Sequence, residues 1–143
     1  MERRIFIKTS LIDTFRTLSQ ESYPHECCGF LAGPLSTAGP KEIQRFKASK
    51  NINLQRATDR YEIDPREYLR FEKECLASRE EIIGFFHSHP DHRPLPSDFD
   101  RNMAWPGYSY VIISVCGGKA GEIRCWTLEE EKRLFLEERI RII

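Results

Sequence analysis

His87, His89 and Asp100 have the residue types and spacing of a three-ligand metal site. The two histidines flank one residue at the end of the apolar run IIGFF, and side chains two apart on a strand share a face. Asp100 lies eleven residues beyond His89 and would return from the next element to complete the set. Two imidazoles and a carboxylate commonly hold one catalytic zinc ion, leaving a fourth position for a water whose pKa falls toward roughly 7. Amide cleavage at such a centre also needs a group that takes a proton from the water and gives it to the departing amine. Glu26, directly before the apolar segment CCGFLAG, is the candidate. A developing oxyanion needs a hydrogen-bond donor, and Ser97, three residues before Asp100, offers a hydroxyl. The chemistry these residues point to is hydrolysis.

The elements that must position them follow from periodicity and breakers. Ser10 and Asp13 read as a helix start, and Leu11, Ile12, Phe15 and Leu18 recur at helical spacing, predicting a helix over 11–22 that Pro24 ends. Residues 27–35 read as a buried strand whose Gly29 and Gly33 let other backbone approach, and 36–40 as a turn. Residues 42–49 alternate as a strand, 51–59 read as a mobile polar loop, and 61–63 as a brief strand. Asp64-Pro65 is a clear helix start, with Tyr68, Leu69, Cys75 and Leu76 as the apolar face of a helix ending near Ser78. A central strand over 82–87 leads into a proline-rich loop over 90–96, and Ser97 caps a short helix over 98–104. Residues 108–115 and 122–128 form a hairpin turned by Gly117-Gly118, and 134–143 allow a final strand. Strands and helices mix without regular alternation, which predicts an α/β domain, 1–143, with one mixed sheet flanked by helices.

Composition narrows the function classes. Lys plus Arg and Asp plus Glu both total 22, so there is no basic excess of the kind a nucleic-acid binder needs. Zero net charge does not oppose self-association into a homodimer. Met1 to Lys8 lacks the apolar core of a signal peptide, and no stretch approaches the roughly 20 apolar residues of a membrane span, so a cytoplasmic protein without membrane contact is expected. Five cysteines without a CxxC spacing argue against a disulfide framework, and Cys116 and Cys125 read as small buried hydrophobes.

Glu26 followed by CCGFL, then His87-Ser88-His89-Pro90, then Ser97 and Asp100, resembles the JAMM (MPN-plus) metallopeptidase signature. The resemblance runs from Glu26 through Tyr108 and is closest to the compact bacterial branch. It implies a cytidine-deaminase-like (JAB1/MPN) fold and one zinc ion on His87, His89 and Asp100. Glu26 would then be the acid/base, Ser97 would stabilise the oxyanion, and Ser88 would point away from the metal. The implied substrate is a ubiquitin-like, sulfur-carrier type protein, cut at the peptide or isopeptide bond after its C-terminal Gly-Gly. A tail without side chains can be paired as an added strand, and the loop over 51–59 would serve as its clamp.

Other readings compete. Cys27 or Cys28 with His87 would make a cysteine protease, though the second histidine and the aspartate have no part in that mechanism. A non-catalytic MPN-type scaffold binding a ubiquitin-like partner, or a deubiquitinase-like isopeptidase, are the alternatives within the family. His25 and His92 read as ordinary surface or packed histidines, Ser97 also as a helix cap, and Trp105 and Tyr108 as core or turn residues.

Overall fold

The structure is a computed structural model and describes residues 3–35, 39–131 and 133–143. The chain runs β1 (Arg4–Ile7), α1 (Thr9–Ser22), β2 (Cys28–Pro34), β3 (Lys41–Ile43), β4 (Arg45–Ser49), α2 (Pro65–Ala77) and β5 (Glu80–Pro90). It continues through α3 (Asp98–Met103), β6 (Ser109–Cys116), β7 (Lys119–Leu128) and β8 (Phe135–Ile142). Among the described residues one mixed sheet holds all eight strands in the order β3-β1-β8-β7-β6-β5-β2-β4. The outermost strands, β3 and β4, are separated in sequence only by Gln44, whose N–H donates to the Ala32 carbonyl of β2. The expected single strand over 42–49 is therefore the segment at which the sheet curls back on itself.

Alternation decides which face each residue takes. Phe86 of β5, Val111 and Ile113 of β6, and Leu31 of β2 pack with Ile12 and Phe15 of α1. Phe15 stacks on Phe86 at 4.4 Å between ring centroids. On the other face, Phe30 and Ile82 pack against Phe71 and Cys75 of α2, and Ala104, just after α3, joins Tyr110 and Leu128. Each fully buried aliphatic or aromatic side chain contributes about 1.5–3 kcal/mol, so these two layers hold the sheet in place.

A bulge in β5 sets the facing of the histidines. Opposite β2, Leu31 pairs with Gly84 and Ala32 with Ile82, leaving Ile83 without a partner. The extra residue inverts the alternation. Ile82 lies on the α2 face and Ile83 on the α1 face, yet Phe85 is back on the α2 face and Phe86 on the α1 face. Gly84 is required at this point: a Cβ there would stand 1.9 Å from the Ser109 carbonyl oxygen. Gly29 and Gly33 carry the close backbone approaches expected of them, to Lys47 and Glu42.

Several expectations are corrected. Arg4–Ile7, unassigned from sequence, is a strand between β3 and β8. α1 starts at Thr9, before Ser10, because the Ile143 carbonyl accepts from the Thr9 N–H and no side-chain cap is needed. Residues 61–63 form no strand; Tyr61 turns onto His87 instead. α2 buries Phe71 and Cys75 and leaves Leu69 and Leu76 exposed, since the contact stripe runs one residue away from the leucines. Cys116 is exposed at the end of β6, and Trp105, 68% exposed, belongs to no core. The expected turn over 36–40 includes residues 36–38, which lie outside the described residues. Among the described residues no helix is long and apolar enough to cross a membrane.

Candidate metal and hydrolytic site

His87 and His89 stand at the end of β5 on the face shared by α2 and α3, both buried. Their Nε2 atoms are 3.1 Å apart. Asp100 Oδ2 lies 3.2 Å from His87 Nε2 and 3.1 Å from His89 Nε2. Donor atoms held tetrahedrally at about 2.0–2.1 Å from one ion stand roughly 3.3–3.4 Å apart, close to this spacing. The His89 Nδ1–H donates to the Arg93 carbonyl at 2.8 Å, which leaves the Nε2 lone pair facing the cluster. The chemistry of the donor set and its spacing both fit a divalent ion.

Asp100 is aimed by its own helix. Ser97 caps α3, its Oγ accepting from the Asp100 N–H at 3.0 Å while Asp100 Oδ2 accepts from the Ser97 N–H at 2.9 Å. This reciprocal box is a local sequence device. The 90–96 loop is pinned from below: Ser114 Oγ–H donates to the His92 carbonyl and Trp126 Nε1–H to the Pro94 carbonyl. Nothing in the spacing of the motif points to Ser114 or Trp126.

Glu26 is 5% exposed, and among the described residues its Oε1 has no hydrogen-bond partner. One donor atom each of Glu26, His87 and His89 lie within 4.8 Å of one another. The structure thus brings all four polar side chains together, with Asp100 nearer to the imidazoles than the 4.8 Å bound on Glu26. Ser88 joins the halves of the site: its Oγ accepts from the Cys27 N–H at 2.9 Å, and its N–H donates to the Cys27 carbonyl. It points to the α1 side, as expected. A cavity of about 370 Å³ opens beside Glu26, lined in part by Leu18, His25, Cys28 and Ser49.

Burial, then the charges of Asp100 and Asp59, push the Glu26 carboxyl up to about 9. Burial would also raise Asp100, but His87 and His89 together hold it far below the usual carboxylate range. Burial lowers His87, partly offset by Asp100. An ionised Asp100 beside a neutral His87 is the protonation state a cation requires.

Sequence reasoning missed Tyr61 and Asn51. The Tyr61 ring stacks on His87 at 4.3 Å and 22°, and Arg60 sits over Phe99 of α3 at 4.5 Å. The loop over 51–59 is irregular as expected but is fastened to the site by hydrogen bonds rather than free of it. The cysteines do not pair with the imidazoles. Cys27 Sγ faces Ser19 on the α1 side and Cys28 Sγ bonds the Ser49 carbonyl, while burial raises both thiols, Cys28 to about 12. Neither is a thiolate nucleophile. His25 and His92 are exposed.

This site lies on a fold that has known relatives. Residues 8–129 match the family of prokaryotic homologs of the JAB domain. A desampylase from Haloferax volcanii is 34% identical over 114 residues, covering 78% of this chain and 76% of the relative. A CysO-cysteine peptidase from Mycobacterium bovis is 25% identical, covering 87% of this chain and 82% of the relative. A JAB1/MPN domain protein from Archaeoglobus fulgidus superposes with a TM-score of 0.59 at 14% identity over 98% of both chains, a likeness of fold alone. The fold is thus of the JAB1/MPN class. The chain belongs to the prokaryotic JAB family, the compact bacterial branch of the JAMM/MPN group.

Proposed function

We propose that the chain is a zinc-dependent peptidase that hydrolyses the peptide or isopeptide bond after the C-terminal Gly-Gly of a ubiquitin-like, sulfur-carrier type protein. The observation that carries this reading is the convergence of His87 Nε2, His89 Nε2 and Asp100 Oδ2 within 3.1–3.2 Å, beside a buried Glu26 oxygen without a partner. His87, His89 and Asp100 would hold the ion, which would supply Lewis-acid polarisation and water activation. Glu26 takes a proton from the attacking water and delivers it to the amine as the C–N bond breaks. The Ser97 hydroxyl, whose oxygen already accepts from Asp100 N–H, keeps its own proton to donate to the developing oxyanion. Tyr61 keeps the His87 ring in its plane by stacking.

The proximity of a desampylase and a CysO-cysteine peptidase supports a substrate in which a small carrier protein is joined through its C-terminus to an amine. A scaffold has no use for a buried carboxyl oxygen without a partner, which costs about 1–3 kcal/mol. Incubation with Gly-Gly-tailed carriers bearing C-terminal extensions, read by intact mass, tests the proposal. Wild type should release the extension. Glu26→Gln should bind zinc yet lose turnover by about 10²- to 10⁴-fold, and chelator should abolish it. Full turnover by Glu26→Gln would refute the assignment of the proton carrier.

A further inference from the structure

Glu26 lies two residues before β2 begins, outside the ladder that fixes the rest of that strand. Both of its backbone groups nevertheless have partners, and both come from one loop. The Glu26 N–H donates to the Ala57 carbonyl at 2.6 Å, and its carbonyl accepts from Asn51 Nδ2 at 3.3 Å. Asn51 Nδ2 also donates to the Arg60 carbonyl at 2.9 Å, while its Oδ1 accepts from the N–H groups of Asn53 and Glu62 at 3.0 and 3.1 Å. One amide thus uses two donor and two acceptor bonds to close the loop upon itself and onto Glu26. The Ile52 N–H donates to the Glu62 carbonyl, completing the neck. A second brace lies further out, where Asn53 Nδ2 bonds Glu62 Oε1 and Asn53 Oδ1 accepts from the Arg56 N–H, neither touching Glu26.

We propose that Asn51 is a positioning residue for Glu26: it anchors the 51–62 loop on the backbone of Glu26 and fixes the carboxylate against the imidazole pair. The inference rests on the proposed role of Glu26 in proton transfer. The reason for such a device is geometric. A proton carrier must stand within hydrogen-bond reach of both the water and the leaving amine, and a displacement near 1 Å costs up to about 10²-fold in rate. Ser88 fixes the chain on the far side of Glu26 through Cys27, so Asn51 and Ala57 supply the opposing constraint. A loop whose role was only to grip substrate would have no need to bond both backbone groups of the proton carrier.

Asn51→Ala and Asn53→Ala, compared as zinc-loaded enzymes, test this. Asn51→Ala should lower kcat by about 10- to 100-fold with KM within about twofold. Zinc content should stay at wild-type level, and the Glu26 amide should exchange with solvent faster by at least about tenfold. Asn53→Ala, which loosens only the outer brace, should leave kcat and the Glu26 amide within about threefold of wild type. Wild-type kcat in Asn51→Ala, a change confined to KM, or an equal kcat loss in Asn53→Ala would each overturn the proposal. Should Asn51→Ala not fold, Asn51→Asp keeps the Oδ1 acceptor bonds, removes the donors, and is judged on the same amide and kcat. Inactive Glu26→Gln with fully active Asn51→Ala sinks this inference alone, whereas active Glu26→Gln removes the reading beneath it.

Discussion

Two buried polar clusters stand at opposite ends of the paired strands β5 and β6, and they are built on contrary terms. At one end, beside the pair Gly84–Ser109, Lys41 Nζ lies 2.9 Å from Ser109 Oγ and 3.4 Å from Glu138 Oε2, and Ser109 Oγ–H donates to Glu138 Oε1 at 2.6 Å. Cys125 adds its thiol to the same carboxylate. At the other end, five residues and roughly 16 Å along the strands, His89 pairs with Ser114, and Glu26 Oε1 and His87 Nδ1 have no partner among the described residues. The first cluster is closed by its own members and needs nothing more. The second is left open at a cost that buried polar groups rarely bear, and beside the unmet Glu26 oxygen the lone pairs of His87 Nε2, His89 Nε2 and Asp100 Oδ2 converge where a cation would satisfy them. Satisfaction marks the structural cluster, and its absence marks the chemical one.

The strongest way to break this contrast is at Asp100. Asp100→Ala should lose zinc and turnover together, because two imidazoles alone make a poor site and the Ser97–Asp100 box goes with the carboxylate. Metal content by elemental analysis and the intact-mass assay read both. Full zinc occupancy in this variant would make Glu26, His87 and His89 the ligand set and take Glu26 out of acid/base work.

At the closed end the expected loss is in stability alone. Lys41→Met removes the cation and leaves Glu138, 5% exposed, with only the serine and a thiol. Because the Lys41 side chain is itself 36% exposed, the cost should fall below that of a fully buried pair, near about 2 kcal/mol by denaturant unfolding. Zinc stoichiometry and kcat should not move. A kcat loss beyond about threefold would mean that the two ends are coupled.

How much of this was legible in the sequence differs by end. The His-x-His spacing, the eleven residues to Asp100 and the Ser97 cap are local patterns, and the structure brings those residues together as expected. The strand and helix order was readable from α2 onward because alternation and the Asp64-Pro65 start are local too. The closed cluster was invisible: Lys41, Ser109, Cys125 and Glu138 come from β3, β6, β7 and β8, with no short-range spacing to join them. The bulge at Ile83, which decides the facing of the histidines, follows from the pairing with β2 and leaves no mark on β5 alone. Asn51 and Tyr61 were hidden for another reason. The segment of Asn51 is polar and aperiodic, so it read as mobile, and Tyr61 read as part of a brief strand, whereas their order comes from side-chain-to-backbone bonds and ring stacking that periodicity does not register.

The smallest expected effect sharpens the contrast from the open end. In protein stripped of metal, Glu26 has its pKa raised from 4.5 to about 9, chiefly by burial. Between those values the folded chain keeps a proton that the unfolded chain has released, so stability is full below 4.5 and falls as pH rises through the window. His87 acts with the opposite sign, because its lowered pKa removes stability as pH falls below 6.5. Asp100, held low, is ionised in both states throughout this range. From pH 7 to 8 the slope of the site therefore belongs to Glu26. The melting temperature of chelator-treated wild type should drop by about 3 °C across that unit, and Glu26→Gln should remove most of the drop. Zinc-loaded wild type should be nearly flat, since a divalent ion nearby favours the carboxylate and cancels the shift. An equal slope in Glu26→Gln would show that the buried carboxyl is not the group left waiting at this end of the sheet.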